Sequence, residues 1–199
     1  MKTYITLCLC ALVFLGADCY AAKGHAQQNN IKPNKILVAY ASKYGSTATV
    51  AEAIGQTFRE EGAEVDVLPA KQVKNIAQYN AVVIGSGVYM GKWLKDSMRL
   101  IKQNKEVLNK MPVAYFEVCL AVREDTEANR KVAESYAIKA MALVKSVDLG
   151  IFAGVMDRKK VSFFHRLLLR FIIVPNGDFR NWDAIKAWAK QVYPRLAVK

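Results

Sequence analysis

The sequence predicts an α/β fold, a doubly wound five-stranded parallel sheet with helices on both faces. Short β-branched runs alternate with longer stretches of helical period from residue 35 onward. The runs also lack the polar alternation of a sheet with one wet face, so both faces are expected to be covered. Composition agrees. With 53% hydrophobic and 23% charged residues, 11 Gly and 5 Pro in 199, the chain can build a core and is neither collagen-like nor disordered.

Residues 36–40, Ile-Leu-Val-Ala-Tyr, form the first candidate strand, followed by a helical stretch over residues 47–61. The second strand falls at residues 64–68 and the third at 81–84, with a helix expected over residues 91–108. Residues 113–118 give the fourth strand, 126–145 a helix, 147–152 the fifth strand, and 182–196 a closing helix. Residues 154–181 break this rhythm with a basic and apolar insertion. On a helix, Lys159, Ser162, Arg166 and Arg170 would share one stripe, beside an apolar arc that includes Phe164 and Phe171. That pattern fits either a membrane-surface helix or a helix covering the sheet.

Residues 1–22 have the anatomy of a secretory signal: Lys2, an apolar run over residues 5–17, then Cys19-Tyr20-Ala21. The run is shorter than the roughly 18 residues of a spanning helix, although an uncleaved anchor would put Lys23, Lys32 and Lys35, and the domain, on the cytoplasmic side. Residues 23–34 read as a polar linker and 35–199 as one domain, exported or membrane-associated. Beyond residue 22 the available Cys and His are Cys119, His25 and His165, so neither an internal disulfide nor a metal site is expected. The net charge of +12 favours anionic partners. Its basic residues are scattered without a recognition motif, and nucleic acid is not expected among them.

Ligands of open α/β sheets sit beyond the carboxyl ends of the strands, and the first such end is Ser42-Lys43-Tyr44-Gly45-Ser46-Thr47. Three hydroxyls, the freedom of Gly45 and the unpaired N–H groups of a helix start can together surround a phosphate, with Lys43 adding charge. Ordinary helix capping uses the same residue types. There is no GxxxxGK[ST] motif, and residues 85–91 are one residue too long for GxGxxG.

Residues 38–54 resemble the flavodoxin signature, with Tyr40, Ser42, Gly45, Thr47, Ala51 and Ile54 at its positions and Ala39 departing from it. The resemblance implies strand order 2-1-3-4-5 and an FMN cofactor at the switch point. It assigns the phosphate to Ser42, Tyr44, Gly45, Ser46 and Thr47, and the ring to the loops carrying Ser86, Gly87, Val88, Tyr89 and Trp93 and carrying Cys119, Leu120, Ala121 and Arg123. Tyr89 and Trp93 are the candidates for covering a ring face, Trp93 being equally suited to a helix core. Arg123 or Lys92 would stabilise charge on the ring. No catalytic side chain is assigned, because the flavin N5 carries the chemistry; Cys119 reads more readily as a buried apolar residue than as a redox thiol.

Within that superfamily the chain is similar to the group containing menaquinone-dependent protoporphyrinogen oxidases. The likeness rests on Val83-Ile84-Gly85-Ser86 with Tyr89-Met90-Gly91, on Met111-Pro112-Val113-Ala114-Tyr115-Phe116 with Val118, on Phe164-His165-Arg166-Leu167, and on Trp182. It implies an FMN-dependent oxidoreductase passing electrons between an organic substrate, such as a porphyrinogen, and a quinone. It also implies an anionic membrane surface met by Lys159, Arg166, Arg170, Phe164 and Phe171. A flavodoxin-type one-electron carrier and a cofactor-less binding module are the alternatives. Residues 176–181 are shorter than the group's counterpart, and its Arg-rich loop after the third strand is represented here by Tyr89 and Met90.

Overall fold

The computed structural model describes residues 34–157 and 175–197. The expected signal or anchor, nearly all of the linker, and the stretch with Lys159, Phe164, Arg166, Arg170 and Phe171 lie outside the described residues.

β1 (Lys35–Ala41) leads into α1 (Ser46–Glu60), and β2 (Glu64–Pro69) follows. β3 (Ala81–Tyr89) turns into the two-residue β4 (Lys92–Trp93) before α2 (Lys95–Gln103) and the single turn α3 (Lys105–Leu108). Then come β5 (Val113–Cys119), α4 (Glu127–Met141), β6 (Asp148–Ala153), β7 (Val155–Met156), β8 (Gly177–Asp178) and α5 (Trp182–Leu196). Five strands run parallel in the order β2-β1-β3-β5-β6, which is 2-1-3-4-5 among the parallel strands. β4 pairs antiparallel with the end of β3, and β7 with β8 forms a separate ribbon.

The unbroken apolar runs are explained by two cores. Ile36 and Val38 point to one side, where Val50, Ile54 and Phe58 of α1 and Ile185, Val192 and Leu196 of α5 pack on Val83 and Phe116. Leu37 and Ala39 point to the other, against Leu100 and Ile101 of α2, Ala137 and Ala140 of α4, and Tyr115. Every other residue of a strand therefore meets a different helical layer, and neither face can be polar. The Tyr115 hydroxyl donates to the Val144 carbonyl at 3.1 Å, which satisfies the one polar atom on that ring.

Thr126 caps α4 by accepting from the Asn129 N–H, and Asn181 caps α5 by accepting from the Ala184 N–H. α1 ends where Gly62 takes φ 93° and donates to the Arg59 carbonyl, the left-handed stop that favours glycine. At its start α1 has no side-chain cap, a difference that matters for the site.

Two expectations need correction. The third strand continues five residues past 84, because Gly85, Ser86 and Gly87 stay in register with both β1 and β5. The helix expected over 91–108 begins only at Lys95 and breaks at Asn104 (φ −116°, ψ 18°). Met90 (φ 50°) and Gly91 (φ 69°) occupy the turn between β3 and β4, the paired positive φ values of a tight hairpin.

Gly85 is required by close approach: a Cβ there would lie 1.9 Å from Cζ of the fully buried Phe116. Gly85→Ala is expected to destabilise the protein by roughly 1–3 kcal/mol through overpacking, read as a lower midpoint in urea. An unchanged midpoint would mean that the Phe116 ring moves aside freely.

Candidate functional site

The sheet order diverges at β1, whose chain continues to β2 on one side while β3 lies on the other. Loop 42–45 leaves β1 at this switch point, the place where open α/β sheets bind their ligands. Gly45 adopts φ 100° and ψ −26°, a conformation that disfavours any residue with a Cβ, although space around it is open. Its N–H donates to Ser42 Oγ at 3.0 Å, folding the loop back on itself. With no side chain capping α1, the N–H groups of its first turn are left for a ligand.

Gly87 of β3 faces this helix start. A Cβ on it would lie 2.9 Å from Thr47 Oγ1 and 3.7 Å from the Ala41 carbonyl oxygen. The missing side chain lets the backbone of β3 come close to the buried Thr47 at the start of α1. Ser42, Tyr44 and Ser46 are half-buried around it, and the buried Tyr44 hydroxyl has no hydrogen-bond partner among the described residues. Such an uncompensated polar group is costly to bury.

The rim is made by the β3–β4 hairpin. The Lys43 ammonium sits 3.4 Å from the centroid of the Tyr89 ring and 5.3 Å from that of Tyr44, joining loop 42–45 to the hairpin by cation–π contacts. Lys43 thus stands over an aromatic face. Val88 is half-buried opposite Trp93, and Met90 at the tip is 70% exposed.

The other sequence candidates have these contacts within the protein. Trp93, a candidate for covering a ring, is instead 6% exposed in the core: its Nε1 donates to Glu117 Oε2 at 2.8 Å and its ring meets Tyr115 edge-on at 5.5 Å. The residue after it explains why. The fully buried Ser86 accepts from the Leu94 N–H and donates to the Gly87 carbonyl, both at 2.9 Å, so the hairpin exit is drawn inward. Cys119 is buried with Val122 and Ala133, and burial, helped by Glu117, pushes its thiol up to about 11, away from thiolate chemistry. Leu120 and Phe179 pack on Met156, Ala121 opens a short 3-10 turn, and exposed Arg123 pairs with Glu124 at 3.4 Å.

Two functional neighbours escape sequence reading. Arg180 is held by Asp178 at 2.8 and 2.5 Å, lies 4.5 Å from the Trp182 ring, and donates to Thr49 Oγ1 in α1 at 2.5 Å. No local pattern reveals a contact 131 residues apart. Glu117 is the one fully buried carboxyl among the described residues. Burial pushes it up to about 7, the Trp93 hydrogen bond pulls the other way, and the negative charge of Glu134 adds a rise. Its visible signal was a lone acid inside an apolar strand. A cleft of about 380 Å³ lies elsewhere, between residues 70–74 and α2, and none of its lining residues belongs to loop 42–47 or to the hairpin.

The sequence model of the Flavodoxin domain family matches residues 37–182. The chain belongs to the flavodoxin domain family. Among curated relatives, protoporphyrinogen IX dehydrogenase (quinone) of Leishmania major is 25% identical over 169 residues, covering 78% of this chain and 73% of that protein. The enzyme of the same name from Escherichia coli strain K12 is 21% identical over 171 residues, covering 79% and 94%. An archaeal flavodoxin structure superposes with a TM-score of 0.51 at 18% identity, covering 81% of this chain and 98% of that one, and this likeness speaks for the fold. Family membership carries a flavin-linked redox role.

The Glu117 carboxyl yields a stability prediction. Its folded value of about 7 lies above the ordinary 4.5, so the folded protein keeps a proton that the unfolded chain releases. That contribution is complete below the ordinary value and is lost as pH rises to about 7, at most about 3 kcal/mol. Urea unfolding at pH 5 and pH 8 should show the wild type losing stability relative to Glu117→Gln at the higher pH. Equal pH dependence in the two proteins would show that Glu117 does not titrate in this window.

Proposed function

We propose that the protein is an FMN-dependent oxidoreductase passing electrons between an organic substrate and a quinone. The observation that carries this reading is the cradle formed where side-chain-free Gly87 comes against Thr47 at the uncapped start of α1, just after the left-handed Gly45. A phosphate there would meet the hydroxyls of Ser42, Tyr44, Ser46 and Thr47 and the uncapped N–H groups of α1, whose dipole favours an anion. Bound FMN would supply the N5 centre that accepts and releases electrons.

The protein's own residues would place that centre. Lys43 lies on the face of Tyr89, so a flat ring bound at the strand ends would meet the two together at the rim, an aromatic that already carries a cation. Gly87 lets the backbone of β3 approach the ring edge. The net charge of +12 would concentrate an anionic substrate such as a propionate-bearing porphyrinogen. The names of the Leishmania and Escherichia relatives support both the porphyrinogen and the quinone. The basic and apolar sequence of residues 158–174 supports contact with an anionic membrane, where quinones dissolve.

Purified protein should be yellow, release FMN on denaturation, and reduce a soluble quinone when given protoporphyrinogen. A colourless protein that refuses added FMN would overturn the reading, and bound FMN without quinone turnover would leave a one-electron carrier. Gly87→Ala should weaken FMN binding roughly tenfold, about 1.4 kcal/mol, by intruding on the cradle, as read by quenching of flavin fluorescence.

A further inference from the structure

We propose that Glu117 is a proton-holding positioning residue, exchanging a proton in the interior and, through the Trp93 indole, setting the β3–β4 hairpin that borders the candidate site. Its carboxyl is fully buried, with Oε2 accepting from Trp93 Nε1 at 2.8 Å and Oε1 lacking a hydrogen-bond partner among the described residues. A buried carboxylate is well held only when several donors surround it. One donor suits the acid form, which keeps its proton on Oε1 and the indole bond at Oε2. Losing the proton turns that bond into a charge-assisted one, shorter and stronger.

The surroundings reinforce this. β4 contributes only the neutral indole, and β5 contributes Tyr115 and Cys119, both raised by burial and therefore neutral. From α4, Tyr136 is raised, with burial the largest cause, and Glu134 adds a negative charge. None of these groups is a cation that would hold the carboxylate, and the carboxyl is pushed up to about 7.

The consequence reaches the site through the strand register. Glu117 pairs with Ser86, and the next pair is Val118 with Gly87, the residue facing Thr47. Trp93 is opposite Val88, and Lys92 opposite Tyr89, whose ring carries Lys43. A pull on the indole is thus transmitted to the aromatic rim. Reduction of a quinone to a quinol consumes two protons with two electrons, so a proton-dependent rim would couple site geometry to turnover. This coupling rests on the proposed function, whereas the titration does not.

The test follows the indole N–H resonances of the full ¹⁵N-labelled protein from pH 5 to pH 9, with Trp93 identified by Trp93→Phe. The Trp93 resonance should move downfield as pH rises, with a midpoint near 7. In Glu117→Gln, which keeps an acceptor oxygen, it should remain bonded and stop moving. A flat Trp93 resonance in the wild type, or one that still titrates in Glu117→Gln, overturns the proposal. If that variant fails to fold, the wild-type carboxyl ¹³C resonances decide. One glutamate titrating together with Trp93 supports the assignment, and all glutamates finishing below about pH 6 overturns it. With FMN bound, the midpoint potential plotted against pH should bend near 7 in the wild type and not in Glu117→Gln. Absence of that bend refutes the coupling. A colourless protein would defeat the functional reading while leaving the Trp93 titration to stand or fall alone.

Discussion

Burial of the parallel sheet on both faces confines the chemistry of this protein to one edge. Within the sheet each interior strand spends its N–H and C=O groups on two neighbours, and helical layers cover the side chains above and below. Backbone becomes available to a ligand only where strands end. At the carboxyl edge between β1 and β3 the chain diverges, α1 starts uncapped, and Gly87 carries no side chain to hold β3 away from Thr47.

Around that edge the charges are held rather than scattered. Lys43 rests on Tyr89, and Arg180 is fixed between Asp178 and Thr49, so the two cations near α1 have defined positions. Arg180 also joins the end of the 154–181 insertion to the first turn of α1. Glu117 differs from both, because its charge has no cationic partner. Its environment favours the neutral acid, which gives an otherwise apolar strand one group sensitive to pH.

Much of the fold was legible because its physics is local. Apolar runs mark strands buried on both sides, and α5, Trp182–Leu196, matches its expected span because Asn181 supplies a cap and Ile185, Ala189 and Val192 supply the period. Loop 42–47 was legible as a cluster of hydroxyls around a glycine before a helix, and the structure gives it a left-handed Gly45 ahead of an uncapped α1. The hairpin was not. Gly85-Ser86-Gly87 reads as a turn, yet those residues remain in the sheet because Phe116 fills the space above Gly85 and Ser86 bonds within the hairpin. Trp93 looked available to a ring for the same reason; its partner, Glu117, lies 24 residues later. The Arg180–Thr49 contact is likewise set by topology.

We propose that the edge between β1 and β3 is built for a phosphorylated flavin, and comparing FMN with riboflavin tests this most directly. Both ligands carry the same ring, so their difference in affinity isolates the phosphate loop. Titration of the apoprotein should show FMN binding tighter by about 100-fold or more, as charge-assisted hydrogen bonds to several donors require. Equal affinity for the two, or no affinity for either, would contradict the account.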